Sequence, residues 1–337
     1  MPRRFFFHSL YSFLIPTFIC WPAWPQTTGE QLEPEMEEFL REQLTKIERW
    51  NIDKLLKTER DIDLQQKKRA IFSSNPEELA LLAEDEDSGV RFQVAANPNT
   101  PIDFQLLLAK DPVSYVKSGL AMSLAYDPLS SKETSKLVES IALKLARDDS
   151  PLVRLALAEN QKIPGVALDL LASDSDFVIR HRLAQNLYIS QDALAILAED
   201  NFQLVQAEAL KHRNMPVVWL ERKSEDPSAV IRLAICKNVN VPLSILEVLA
   251  GDSDPLVRRA VLEHDKTSLN ILRKLATDED LDIVMAVAGH PNADRDLLVQ
   301  LAYDKRDREI RTMAQKRLAP LLRSEIREDI LERYISK

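Results

Sequence analysis

The stretch "LAEDEDSGVRFQVAANPNTP", Leu82 to Pro101, decides how the rest of the chain is read. Alone it is a helix and a turn; with its neighbours it is one copy of a unit. The test is a period. Aspartate recurs at Asp85, Asp111, Asp148, Asp174, Asp200, Asp226, Asp252, Asp278 and Asp304, and every interval is 26 residues except the second, which is 37. That spacing defines nine units. The surplus, 37 − 26 = 11 residues, falls in "YDPLSSKETSKLVESIALKLARD", where a lengthened second helix is expected.

Other slots keep the same step. Five residues after the Asp stands Val90, Val116, Val153, Ile179, Val205, Ile231, Val257 or Ile283. A basic slot follows, with Arg91, Lys117, Arg154, Arg180, Arg232 and Arg258, interrupted by Gln206 and Val284 and slipped to Arg311 at the end. The spacing predicts two short helices per unit. The repeat Asp is expected to cap the first helix by accepting its free N–H groups. That helix is expected to end at Asn97, Asn160, Asn186 or Asn238, or at Ser123, His212, His264 or His290, because Asn and His tolerate positive φ better than most residues. Pro101, Pro164, Pro216, Pro242, Ser190, Ser268 and Asp294 open the second helix. This helix carries a Leu-Ala pair, from Leu82-Ala83 to Leu301-Ala302, replaced in unit six by Lys223-Ser224. Leucine fills the core, and alanine lets neighbouring helices approach to about 8–10 Å.

Composition agrees with an array of helices. The 337 residues include only 6 Gly, roughly a quarter of ordinary usage, which argues against phosphate-cradling loops and turn-dense β folds. A formal charge of −9 disfavours nonspecific binding to nucleic-acid phosphates. Residues 1–29 read as a separate module: Arg3 and Arg4 precede the apolar run "FFFHSLYSFLIPTFICW", the order of a secretory signal or N-terminal anchor. Export to the periplasm or exterior is therefore expected, with the membrane met only through this segment. Removal of the segment leaves a charge of −9 − 2 = −11 and Cys236 as the sole cysteine, so no intramolecular disulfide forms. Residues 30–74 read as a helical cap or linker, with Met36, Phe39, Leu40, Leu44 and Ile47 on one face. The array spans 75–319, and 320–337 form a C-terminal capping helix.

The quoted string closely resembles the leucine-rich repeat variant family, and its Asp, apolar, basic spacing is similar to that of HEAT repeats. The resemblance covers about Asn75 to Ala319. It implies an all-α, right-handed α-solenoid of about nine 26-residue two-helix repeats, with the second helices lining the concave side. It further implies a hydrogen-bonded ladder between units, made by Asp85, Arg91, Asp148, Arg154, Asp174, Arg180, Asp226, Arg232, Asp252 and Arg258. Such a repeat specifies fold and says little of function.

The pattern carries no catalytic constellation, and neither a metal nor a cofactor is expected. His212, His264 and His290 share one slot, but units about 10 Å apart cannot offer two ligands to one ion. The pairs Asp85/Asp87, Asp174/Asp176, Asp252/Asp254 and Asp278/Asp280 lack the Gly turn and further oxygens of a calcium loop, and helix-core residues follow them. Cys236 occupies a slot that is Ala95, Ala121, Ala158 and Ala184 elsewhere, and reads as a small buried residue. His181 falls in a variable slot and reads as a surface residue. The expected function is an exported scaffold for a protein partner, met on the concave second-helix face at Glu221, Arg222, Glu247, Arg273 and Lys274. Two alternatives belong to other classes. A HEAT-like lyase or hydroxylase needs acid, base or metal residues converging from adjacent units. A nucleic-acid-binding array like the HEAT-like DNA glycosylases needs a continuous basic concave face. No nucleic acid is expected.

Overall fold

The computed structural model describes residues 64–335 except 128 and 164, with side chains from 66 to 323. The secretory-signal or anchor segment and the amphipathic stretch from Met36 to Ile47 lie outside the described residues. Among the described residues there are helices and no strands. Ten odd-numbered first helices alternate with nine even-numbered second helices: α1 (Leu64–Phe72), α2 (Pro76–Leu82), α3 (Ser88–Ala96), α4 (Ile102–Leu108), α5 (Ser114–Ser123), α6 (Lys132–Ala146), α7 (Pro151–Glu159), α8 (Gly165–Leu171), α9 (Phe177–Leu183), α10 (Gln191–Leu197), α11 (Gln203–Lys211), α12 (Val217–Lys223), α13 (Ala229–Cys236), α14 (Leu243–Leu249), α15 (Pro255–Leu262), α16 (Leu269–Leu275), α17 (Leu281–Gly289), α18 (Arg295–Ala302) and α19 (Arg308–Ile335).

The core follows the repeat. All eight residues from Val90 to Ile283 in the apolar slot are at most 1% exposed, and the Leu-Ala pairs form the second buried row. The 11-residue surplus lengthens α6 to 15 residues. Two boundaries differ from the sequence reading. Helix α1, in the segment read as a cap or linker, packs on α3 as a preceding first helix, so the array begins before residue 75, with Ala70 fully buried. At the other end no separate capping helix starts at 320. Helix α19 runs 28 residues through Pro320, so the ninth unit merges with the C-terminal segment and has no second helix of its own.

Successive first helices touch along the whole series from α1 to α19. Second helices approach closely only from α4 to α10, and spread apart beyond. Elements that crowd lie inside a curve, so the crowding of the first helices favours their lining the concave side and the second helices the convex side, whereas the sequence reading put the second helices inside. The residues explain the crowding. The first helices meet one another through small side chains: Ala156, Ala207, Ala234 and Ala260 are buried there. Gly119 of α5 shows how close they come, since a Cβ at that position would lie 2.7 Å from the Phe92 ring of α3. The same ring stacks on Tyr115 with centroids 4.1 Å apart, a contact that adds to the buried area.

Candidate protein-interaction surface

Two polar seams fix the units before any surface is left for a partner. In the first, each repeat Asp lies before the cap, not at it, and two residues before it in the first eight units. Its Oδ1 accepts the amide of residue i+2, from Asp87 N at 2.8 Å in the first unit to Arg306 N at 2.7 Å in the last. The caps are Asp87, Asp176, Asp254 and Asp280, which accept the second amide beyond themselves, or Ser150, Ser228, Val113 and Phe202, which make no such bond. The second Asp of each sequence pair is thus the cap, and the first is left to pair with the preceding unit.

Its partner is the arginine 20 residues earlier. Arg180 Nε donates to Asp200 Oδ2 at 2.5 Å and Nη2 to Oδ1 at 2.9 Å, while Nη1 donates to the Asp174 carbonyl at 2.6 Å. One guanidinium therefore grips its own unit and the following one. Arg91 with Asp111, Arg154 with Asp174, Arg232 with Asp252 and Arg258 with Asp278 repeat the fork, and Lys117 pairs with Asp148 across the insertion. Asp85 and Asp226 receive no arginine fork: Asp226 takes Lys223 at 3.4 Å, because Gln206 stands where the arginine would. Where Val284 breaks the row, Arg306 reaches back to the Asp278 carbonyl at 2.8 Å and pairs with Asp304. Hydrogen bonds from these arginines, with burial opposing, raise the arginine pKa values. Burial also works against ionising Asp252 and Asp278, yet the forks from Arg232 and Arg258 hold both below the usual carboxylate range.

The second seam lies at the ends of the first helices. No residue other than glycine has positive φ among the described residues, so Asn97, Asn160, Asn186 and Asn238 are not left-handed caps. They are buried polar side chains. Asn238 Nδ2 donates to the carbonyls of Leu210 and His212 in the preceding unit at 2.7 and 2.8 Å, and its Oδ1 accepts Asn240 N at 2.8 Å. Asn97, Asn160 and Asn186 do the same toward Ala70 and Ser73, Ala121 and Leu124, and Ala158 and Asn160. Arg317 serves the last unit by donating to the carbonyls of Ala288 and His290.

The concave side carries one polar cluster. Arg182 lies 3.3 Å from Glu159, Lys211 pairs with Glu208 at 2.9 Å, and His181 faces Glu208. His181 is therefore not a simple surface residue. Burial raises the Glu159 pKa although its side chain is 35% exposed, as expected within a concavity. Burial also lowers the His181 pKa, and the positive charges of Lys211 and His181 overcome it to lower that of Glu208. These groups satisfy one another and leave no converging unpaired set. Among the described residues no group of three His, Cys, Asp or Glu could hold a metal. Burial pushes the Cys236 thiol up to about 12, which removes it as a nucleophile at neutral pH.

The convex side is different. At one slot of successive second helices stand Leu81, Leu107, Lys144, Leu170, Ile196, Arg222, Val248, Lys274 and Gln300, and every one is exposed. Leu81 is 78%, Ile196 50% and Val248 57% exposed. The five candidate partner residues lie on this side, but no ion pair joins them to one another. Arg222 pairs with Glu199 at 2.9 Å and lies over the Trp219 ring at 4.9 Å. Arg273 pairs with Asp294 at 2.9 Å, and Lys274 donates to the Glu247 carbonyl at 3.0 Å. Glu221 is exposed on α12 beside Arg222. The period alone places Leu107, Leu170, Ile196, Arg222, Val248, Lys274 and Gln300 in one solvent-facing slot of the second helix, and all seven are exposed.

No protein-family model matches the chain, and no curated protein matches it. Among solved structures it is similar to one described as a leucine-rich repeat variant with a novel repetitive protein structural motif, at a TM-score of 0.50 and 23% identity over 70% of this chain and 88% of that one. A second, an X-ray structure of the Escherichia coli protein YibA, gives a TM-score of 0.32 and 19% identity over 76% of this chain and 94% of that one. The chain has the fold of a helical-repeat solenoid, in agreement with the resemblance its repeat units carry.

Proposed function

We propose that the chain is a scaffold that docks an extended segment of a protein partner along the convex row of the second helices. The supporting observation is the row itself. Its members are apolar or basic from Leu81 to Lys274, all exposed, and repeated once per unit. Scattered apolar residues need no explanation, but an aligned exposed series is the kind of surface partners use. Its interruptions by Lys144, Arg222 and Lys274 favour carboxylates in the partner. Close-packed helices lie about 8–10 Å apart, about three residues of extended chain; this step holds from α4 to α10, with a wider step where the second helices spread beyond. The partner segment therefore presents an apolar or acidic side chain at about every third residue.

A library of extended peptides displayed against the full chain tests this. Enrichment of apolar and acidic residues at that spacing, lost on Ile196→Asp with Val248→Asp, is the expected result. Absence of enrichment, or binding that survives both substitutions, overturns it. So does binding to anionic vesicles in place of peptides, which would make the basic members a lipid-facing surface. We also infer from Arg3-Arg4 and the apolar run behind them that the scaffold works outside the cytoplasm. Cytosolic recovery of the protein with its N-terminus intact argues against this.

A further inference from the structure

The asparagine seam changes its chemistry along the chain. In the N-terminal part its rungs are Asn97, Asn160 and Asn186; further on, three of the rungs are His212, His264 and His290. The histidines copy the amide's bonding with a ring. His212 Nδ1 accepts Asn214 N at 3.1 Å, His264 Nδ1 accepts Lys266 N at 3.0 Å and His290 Nδ1 accepts Asn292 N at 3.1 Å. These are the bonds that Asn Oδ1 makes to residue i+2. The opposite ring nitrogen plays the part of Nδ2: His264 Nε2 lies 3.1 Å from the Asn238 carbonyl of the preceding unit. The Asn186 carbonyl faces His212 in the same way, and Leu262 O faces His290. His212 Nε2 is buried without a bond of full hydrogen-bonding geometry, so its rung is the weakest of the three.

This bonding defines one protonation state. Nδ1 must keep its lone pair to accept an amide, so the proton sits on Nε2. A second proton can go only to Nδ1, where it would point at an N–H donor already in place. An asparagine amide cannot make that change.

We propose that the C-terminal half of the array is acid-sensitive: protonation of His212 and His290 at Nδ1 breaks their bonds to the Asn214 and Asn292 amides, bonds that the N-terminal half makes with non-titrating asparagine. The surrounding charges do not prevent it. Glu208, on the same helix as His212, favours the imidazolium, while the adjacent Arg213 opposes it. Arg317 of α19 opposes it at His290. Near His264, the Lys266 ammonium is engaged by the Val241 carbonyl. Burial, the largest influence at His212 and His290, lowers both pKa values. The sign follows: the unfolded chain binds these protons more readily than the folded one. The stability the two rungs provide is present above the unfolded value of about 6.5 and is lost as pH falls toward the folded values. The arginine forks do not act in this window, because their depressed carboxylates lose stability only below about pH 4.

Hydrogen exchange of the full chain at about pH 7.5 and about pH 5, corrected for intrinsic rates, tests the proposal. Protection of the Asn214 and Asn292 amides should fall severalfold relative to the Asn99, Lys162, Tyr188 and Asn240 amides. Equal changes in both sets overturn it. The variant H212N/H264N/H290N should lose the difference, and if it does not fold, H212N alone should restore protection at Asn214. A variant that keeps the difference overturns the proposal. H181Q is the control for the other buried histidine: it should leave the difference intact, and abolition would place the sensor in the concave cluster instead.

Discussion

The two sides of the array are built from the same repeat and have opposite characters. Along the seams, the polar groups are committed to neighbouring units. Arg180 is gripped by one carboxylate and one carbonyl, and Asn238 by two carbonyls and an amide. On the convex side, Leu81, Ile196 and Val248 fall in one slot of the period, and each is at least 50% exposed. Periodicity therefore records two different demands: neighbours must fit, and a surface must present itself in register. The difference between the sides predicts where substitutions are costly.

The largest effect is expected at the asparagine seam. Asn238 is fully buried, so Asn238→Ala strands the carbonyl of Leu210 and the amide of Asn240 without partners and leaves the His212 carbonyl with only the Met215 amide. Each stranded group costs about 1–3 kcal/mol, and relaxation recovers part of the total, so a loss of about 3 kcal/mol is expected in urea titration. A loss below about 1 kcal/mol would mean that water reaches the seam and that the two sides differ less than their burial indicates.

The arginine fork comes second. Arg180→Ala leaves Asp200 buried with only its Phe202 amide bond and frees the Asp174 carbonyl. The pair lies between exposed and fully buried limits, with side chains 11% and 5% exposed, so about 1–3 kcal/mol is expected. Arg311 donates to the Asp304 carbonyl and has no following repeat Asp, so Arg311→Ala should cost less. Equal midpoints for the two variants would show that a fork gains nothing from joining two units.

These costs also show what the sequence could carry. The period, the buried valine slot and the Leu-Ala pair are local in spacing, and each appears directly in one chain. The lengthened α6 follows from an 11-residue surplus by the same reasoning. The seams do not, because each bond crosses about one repeat: Asn238 ends one helix and bonds to carbonyls of the preceding unit. Read locally, an asparagine at a helix end suggests a left-handed cap; only the stacked neighbour shows its amide to be a rung. Curvature is hidden for a related reason. It depends on how small Gly119 and its alanine counterparts let the first helices crowd, a sum over many contacts. Glu159 was likewise an exposed helix position by periodicity, and Arg182 from the next unit lies against it.

The smallest effect on folding is expected on the convex row, and it is the sharpest test of the contrast. Ile196 and Val248 repeat with the period of the array but touch solvent over half their surface. Each sits on a seven-residue second helix whose buried face is carried by other residues, Leu194 and Leu197 in α10 and Leu246 and Leu249 in α14. Aspartate there removes little packing and adds a charge that stays in water. The change in stability from Ile196→Asp should be within about 0.5 kcal/mol, the range for surface positions, and likewise for Val248→Asp. The two lie two units apart, so their effects should add. If the double variant instead lost as much as Asn238→Ala, these side chains would be holding the array together, and their exposure in register would no longer argue for a partner. Near-zero cost together with lost peptide binding is the outcome that separates a presented surface from a structural one.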